Sequence, residues 1–267
     1  MLARIAETLK DVRERTPLVQ CITNYVTIND CANILLCFGA SPAMCEAKTE
    51  VEEFAGITSA LYINLGTLTA EQKEAALLAA KKAAELNKPV VLDPVACGAI
   101  TRKMDVSREL LENARISVIK GNTGEIKSLA GCSGKVRGVD SIDDGDGVVE
   151  ACRDLARKYN CVVAATGKTD VITDGDRVCL IDNGTSMLTL VTGAGCMVGA
   201  LTAAAAGASE DKFVSTAAAI VAMGLAGEMA AGSMERVLPG TFRVRLFDYM
   251  WALTEDDVLK GGKIKCM

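Results

Sequence analysis

The chain has 267 residues, 50% of them hydrophobic and 24% charged, with 29 basic against 34 acidic side chains and a net charge of −5. That composition can bury a large core; it excludes a disordered tail or a small disulfide scaffold, and offers no cationic footprint for nucleic acid or anionic lipid. There is no histidine, which removes Ser-His-Asp and Cys-His nucleophile systems, His-ligated zinc and histidine general bases together.

In chain order, Leu2, Ile5, Leu9 and Val12 recur at helical spacing, and Pro17 ends that helix before a short strand at 18–23. A second helix is expected over 28–38, closed by Gly39, and a third from about residue 50, after the segment Ser41-Pro42-Ala43-Met44. An apolar strand follows at 60–65, and Thr69 caps a long Ala-rich helix that runs to residue 86. Strands at 89–92 and 116–119 flank a helix near 108–113. This alternation predicts an α/β fold, a central mostly parallel sheet with helices on both faces. Residues 131–147, rich in Gly, Ser and Asp, read as a surface loop, followed by a helix at 148–159 and a strand at 161–165. The runs 170–172 and 177–181, joined by Thr173-Asp174-Gly175-Asp176, read as a hairpin that makes one edge of the sheet antiparallel. From residue 195 onward the chain reads as almost wholly helical. No internal repeat or linker divides it, so a single domain over 1–267 is expected.

The eleven cysteines form no Cys-x-x-Cys pair, and Cys21, Cys31, Cys37, Cys161 and Cys179 sit in apolar runs where a thiol behaves as a small hydrophobe. With no signal-peptide pattern at the start, a reducing cytoplasm is expected. Apolar stretches such as 217–227 fall short of the ~18–20 residues that span a bilayer, so no membrane segment is expected.

Two nucleotide-motif resemblances fail on spacing. Gly167-Lys168-Thr169 looks like the end of a P-loop, but position 162 is Val where the first glycine belongs, and Gly134-Lys135 is followed by Val136. The acidic stretch from Asp140 to Glu150 does not fit the EF-hand ligand pattern and reads as a solvated loop.

Four segments remain. Thr192-Gly193-Ala194-Gly195-Cys196 opens a small-residue helix; its amides suit a phosphate or developing oxyanion, and a glycine-rich start chosen for close packing fits equally. Asn122 and Glu125 share a helix face and also read as a capping box. Leu92-Asp93-Pro94 and Ala165-Thr166-Gly167 each follow an apolar strand and are, singly, turn sequences. Together, Asp93, Lys120, Asn122, Glu125 and Thr166 all follow strands on the one edge where open parallel sheets bind ligands. An acid for a metal and a cation for phosphates then converge, which points to a kinase without a P-loop.

On these residues the sequence resembles the hydroxyethylthiazole kinase family, of the ribokinase-like fold. The resemblance runs through Cys21-Ile-Thr-Asn-Tyr-Val26, Gly39-Ala-Ser-Pro-Ala-Met44, Glu50-Val-Glu-Glu53, Asn64-Leu-Gly-Thr67, Val91-Leu-Asp-Pro94, Lys120-Gly-Asn122 with Glu125, Ala165-Thr-Gly167 and Thr192-Gly-Ala-Gly-Cys196. It implies ATP-dependent phosphorylation of 4-methyl-5-(2-hydroxyethyl)thiazole in thiamin salvage, with Mg²⁺, in a homotrimer whose thiazole sites lie at subunit interfaces. By the same resemblance, Met44 and Gly193 bind substrate, with Asn24 lining that pocket. Lys120, Thr166 and Asn122 fall at ATP-binding positions, and Asp93 and Glu125 position Mg²⁺. The amides of Gly193, Ala194, Gly195 and Cys196 form the anion hole. Cys196 stands where related sugar kinases carry an Asp base; a helix N-terminus favours its thiolate, so it is expected to orient the hydroxyl and accept its proton. Lys120 replaces the family's usual Arg, a point charge for a bidentate fork, and Val95-Ala96-Cys97-Gly98 replaces a more glycine-rich run. Other readings are a hydroxymethylpyrimidine kinase of the same fold, a thiol-dependent acyl transferase using Cys196, and a nucleotide-binding regulator without catalysis.

Overall fold

The computed structural model describes residues 1–132 and 147–267. Residues 133–146 fall outside that description; with them go the central part of the expected 131–147 loop, Gly134-Lys135-Val136 and most of the acidic stretch.

Helix α1 (Leu2–Arg15) buries Ile5, Leu9 and Val12, and stops at Thr16, whose φ of 45° is left-handed, just before Pro17. Strand β1 (Leu18–Ile22) leads into α2 (Ile28–Phe38), closed by Gly39 at φ 100°. Then come β2 (Ser41–Ala43), α3 (Val51–Ile57), β3 (Ala60–Asn64) and α4 (Ala70–Glu85). Thr69 caps α4 in a full capping box with Gln72. Beyond it lie β4 (Val90–Asp93), α5 (Thr101–Asn113), β5 (Val118–Asn122), α6 (Thr123–Leu129), α7 (Val148–Tyr159) and β6 (Val162–Thr166). The expected hairpin is β7 (Asp170–Thr173) with β8 (Val178–Ile181). A 3₁₀ turn at Ser186–Leu190 precedes α8 (Ala194–Ala208), α9 (Lys212–Gly232), α10 (Pro239–Ala252), α11 (Glu255–Gly261) and β9 (Ile264–Cys266).

These strands form one sheet in the order β2-β1-β3-β4-β5-β6-β7-β8-β9, parallel from β2 to β6 and antiparallel beyond. Side chains alternate between its faces. Tyr62, Val91, Val118 and Ala164 join the core under α1, α2, α8, α9 and α10, while Leu61, Ile63, Leu92, Ile119 and Val163 join the core under α4, α5, α6 and α7. Both β2 and β3 flank β1, so the strand order reverses there and opens a crevice at the carboxyl ends of the strands.

Three departures from the sequence reading have physical causes. The C-terminal region is not wholly helical: Ile264–Cys266 adds β9 to the open edge of β8, whose unpaired backbone groups supply the hydrogen bonds that so short a run cannot make alone. Pro42 lies within a strand, but that strand is the sheet's other edge, where proline is tolerated. Strand β5 continues through polar Lys120-Gly121-Asn122 because β6 pairs with it as far as Asn122↔Thr166. Helix α9 is also long and apolar enough by length and composition to cross a bilayer, yet 89% of its apolar window is buried inside the molecule. It packs against α1, α8 and α10.

Candidate active site

The strand ends that face the crevice carry Asn24 after β1, Tyr62 and Asn64 on β3, Asp93 on β4, Lys120 on β5 and Thr166 on β6. Helix α8 starts directly above β3 and β4 because residue 199 is glycine: a Cβ there would lie 2.5 Å from the Tyr62 ring. That close approach lets Tyr62 Oη donate to the carbonyl of Cys196 at 2.9 Å, with Asp93 Oδ2 also within 3.2 Å.

Asp93 and Lys120 are almost fully buried, at 1% and 3% exposure. Lys120 Nζ donates to the Gly195 carbonyl at 2.9 Å and to Asp93 Oδ2 at 3.4 Å, tying the start of α8 to two strands. Asn64 Nδ2 also donates to Asp93 Oδ2, at 3.1 Å. Burial alone would favour a neutral lysine, but Asp93, Glu125 and Cys196 outweigh it and raise the Lys120 pKa, so the ammonium stays charged. Burial raises the Asp93 carboxyl, Lys120 pulls it back, and Glu125 adds to the rise.

Cys196 does not follow the expected chemistry of a helix N-terminus. Burial raises its thiol above the ordinary value and Asp93 raises it further, against the opposing pull of Lys120, Thr27 and Asn24. Burial and the Asp93 charge thus favour the thiol over the thiolate. Its sulfur accepts from Asn24 Nδ2 and Asn64 Nδ2, both at 3.3 Å. A thiol with a raised pKa gives no support to the thiol-transferase reading.

At Gly193 the φ of 82° and the lack of a side chain are both required, because a Cβ would fall 2.1 Å from Thr27 Cγ2. The N–H of Ala194, expected in the anion hole, instead donates to the Val191 carbonyl at 3.1 Å and is not available to an anion. The N–H groups of Gly193, Gly195 and Cys196 have no backbone acceptor among the described residues, as first-turn amides do.

The capping box at α6 is formed in both directions, Asn122 Oδ1 accepting from Glu125 N and Glu125 Oε2 accepting from Asn122 N, each at 2.8 Å. Glu125 Oε1 also accepts from Ala96 N at 2.8 Å, so this carboxylate pins the loop after Asp93. Asp93 receives its hydrogen bonds on Oδ2, which leaves Oδ1 for a ligand. No cluster of three or more His, Cys, Asp or Glu side chains suited to a metal occurs among the described residues. Two neighbouring carboxylates nevertheless fit a cation that takes most of its ligands from phosphate and water.

Thr166 Oγ1 donates to the Gly121 carbonyl at 3.2 Å, and the next residue, Gly167, donates its N–H to Asp170 Oδ1 at 2.9 Å. Met44 lies at the other end of the row, half-buried beyond β2, on a loop held by Gln20 Nε2 to Cys45 O, Gln72 Nε2 to Glu46 Oε2 and Tyr25 Oη to Glu46 Oε1. The structure thus brings Asn24, Asp93, Lys120, Gly195 and Cys196 into one network, with Met44 and Thr166 to either side. Sequence reasoning missed Tyr62, Asn64 and Thr27 as members. The one available signal was Asn64, a polar residue closing an otherwise apolar strand.

A parallel sheet with an antiparallel edge, a glycine-opened helix over its crevice and a buried Asp–Lys pair between them make an α/β fold of the ribokinase-like kind, with a polar site at the carboxyl ends of its strands. A ribokinase-like superfamily protein from Enterococcus faecalis V583 superposes with a TM-score of 0.64 at 12% identity, covering 91% of this chain and 89% of that one, a likeness of fold alone. The chain belongs to the hydroxyethylthiazole kinase family, whose model matches residues 9–256. Hydroxyethylthiazole kinase 2 of Clostridium botulinum (strain Loch Maree / Type A3) is 56% identical over 257 residues, 96% of this chain and 97% of that protein. A hydroxyethylthiazole kinase protein from Pyrococcus horikoshii OT3 superposes with a TM-score of 0.91 at 39% identity, covering 98% of both chains.

Proposed function

We propose that this enzyme transfers the γ-phosphoryl group of ATP to the primary hydroxyl of 4-methyl-5-(2-hydroxyethyl)thiazole, a step of thiamin salvage. The observation that carries the reading is the network joining Asp93, Lys120, the Gly195 carbonyl and Cys196 at the mouth of the crevice, in a chain of this family. Phosphoryl transfer passes through a loose transition state, so positioning and charge neutralisation matter more than a strong base. In this reading Lys120, Thr166 and Asn122 bind ATP, and the amides of Gly193, Gly195 and Cys196 hold the γ-phosphoryl oxygens as charge redistributes. Met44, Gly193 and Asn24 bind the thiazole alcohol. Cys196, a thiol at rest, orients the hydroxyl, and the proton the hydroxyl gives up passes to an oxygen of the transferred phosphoryl group rather than to the sulfur. Mg²⁺ would be held by Asp93 and Glu125 and would neutralise phosphate charge.

In the same reading the enzyme is a homotrimer with sites at subunit interfaces; exposed Tyr25, Val26 and Leu190, within three residues of Asn24 or Gly193 in sequence, suit a subunit contact there. Eleven free cysteines suit a reducing cytoplasm.

A coupled assay with the thiazole alcohol, hydroxymethylpyrimidine and sugar alcohols tests the function; preference for the pyrimidine would replace the reading. Light scattering on the purified protein tests the trimer. Cys196→Ala should keep measurable turnover, and Cys196→Asp should preserve or improve it; a folded but dead Asp variant contradicts the role given to Cys196.

A further inference from the structure

We propose that Asn64, with Asn24 beside it, is a positioning residue for phosphoryl transfer: the two carboxamides clasp the Cys196 sulfur and aim it at the substrate hydroxyl. The inference rests on the role given to Cys196 and adds two residues that act through it.

The orientation of each amide is fixed by its neighbours. Asn64 Oδ1 accepts the Gly66 N–H at 2.9 Å and Asn24 Nδ2 at 2.9 Å. Its Nδ2 must therefore face Tyr62 Oη at 2.9 Å, Asp93 Oδ2 at 3.1 Å and Cys196 Sγ at 3.3 Å. Asn24 Oδ1 accepts both the N–H and the Oγ1–H of Thr27 at 3.1 Å, so its Nδ2 faces Asn64 and the same sulfur. Turning either amide over would set oxygen against acceptor and N–H₂ against donor. Two N–H groups thus reach Sγ, and the Thr27 hydroxyl, itself bonded to Asn24 Oδ1, lies against the same thiol.

A double-mutant cycle separates positioning from scaffolding. Asn64→Ala should lower kcat about tenfold, the worth of one such bond, with less than about a twofold change in KM for ATP. In a Cys196→Ala background the same substitution should change kcat less than about twofold, because the group it acts through is gone. Equal losses in both backgrounds, or none in either, overturn the proposal. If Asn64→Ala fails to fold, Asn64→Asp keeps the acceptor for Gly66 and removes the donor to sulfur, and Asn24→Ala gives the second arm.

An independent readout is the pH midpoint of Cys196 alkylation, followed by mass spectrometry of its peptide. The groups facing this thiol are Tyr62 from β3, Asp93 from β4, Lys120 from β5 and Cys31 from α2. All are retained in the variants. The midpoint should rise in Asn64→Ala, which loses a donor, and rise further in Asn64→Asp, which adds a negative charge. An unmoved midpoint overturns the clasp even if the thiazole alcohol is the substrate. A moved midpoint in an enzyme inactive on that alcohol keeps the clasp and rejects the substrate.

Discussion

Replacing Gly193 by alanine places a methyl group where the fold has no room for one. The residue sits at φ 82°, and the new Cβ would lie 2.1 Å from Thr27 Cγ2 and 2.8 Å from Thr27 Cβ. Left-handed backbone costs a non-glycine residue about 1–2 kcal/mol, and overpacking a close contact costs about 1–3 kcal/mol. Their sum, about 2–5 kcal/mol, corresponds to a fall in Tm of roughly 4–20 °C for a chain of this size. Activity should fall as well, because Thr27 holds Asn24 and Asn24 touches the Cys196 sulfur. Thermal unfolding and the coupled kinase assay measure the two effects. Thr27→Ser removes the 2.1 Å contact while keeping the hydroxyl that bonds Asn24. In the double variant it should therefore recover about 1 kcal/mol, or roughly 2–4 °C. A Gly193→Ala protein that melts within about 1 °C of the parent, or a double variant no better than the single, refutes the steric argument.

Lys120→Met removes the cation paired with buried Asp93 and should cost about 3–5 kcal/mol, since an uncompensated buried carboxylate remains; urea unfolding at neutral pH measures it, and a loss under about 1 kcal/mol counts against the pair. The Asp170 carboxyl is pushed up to about 7, chiefly by burial, with Asp182 adding and the Gly167 N–H and Lys120 opposing. The folded state thus keeps a proton that the unfolded chain has released by about pH 4, so this group's contribution to stability is lost as pH rises from about 4 to 7. Asp170→Asn keeps an acceptor for Gly167 and should lack that decline; parallel urea midpoints against pH for the two proteins would exclude it. Burial raises Asp211, but Arg177, the Val214 N–H and Arg4 outweigh it and hold the carboxyl well below the usual range. Its stabilisation is present above about pH 4 and lost as pH falls. Asp211→Asn should therefore be less stable than the parent at pH 7, with the gap closing in acid; a gap independent of pH would be the contrary result.

Much of the architecture was readable because it depends on neighbours in the chain. Thr69 caps α4, and Asn122 with Glu125, three residues apart, forms its capping box, as the sequence predicts; Gln72 completes a second box with Thr69. The alternation of apolar strands with amphipathic helices likewise sets the parallel sheet, and Asp93, Lys120 and Thr166 fall at its strand ends.

What the sequence alone determined, then, is the succession of elements, their caps and the edge of the sheet where chemistry gathers, since hydrophobic period and capping act over three or four residues. Only tertiary structure decided which polar groups meet and in what state. Asn64 and Cys196 are 132 positions apart, and no local pattern connects them. The thiol of Cys196 shows the difference. A helix N-terminus predicts a lowered pKa, but the surrounding protein excludes water and sets Asp93 nearby, and desolvation together with that charge raises it instead. Strand β9 arises the same way, from three residues that acquire a structure only because β8 offers an open edge.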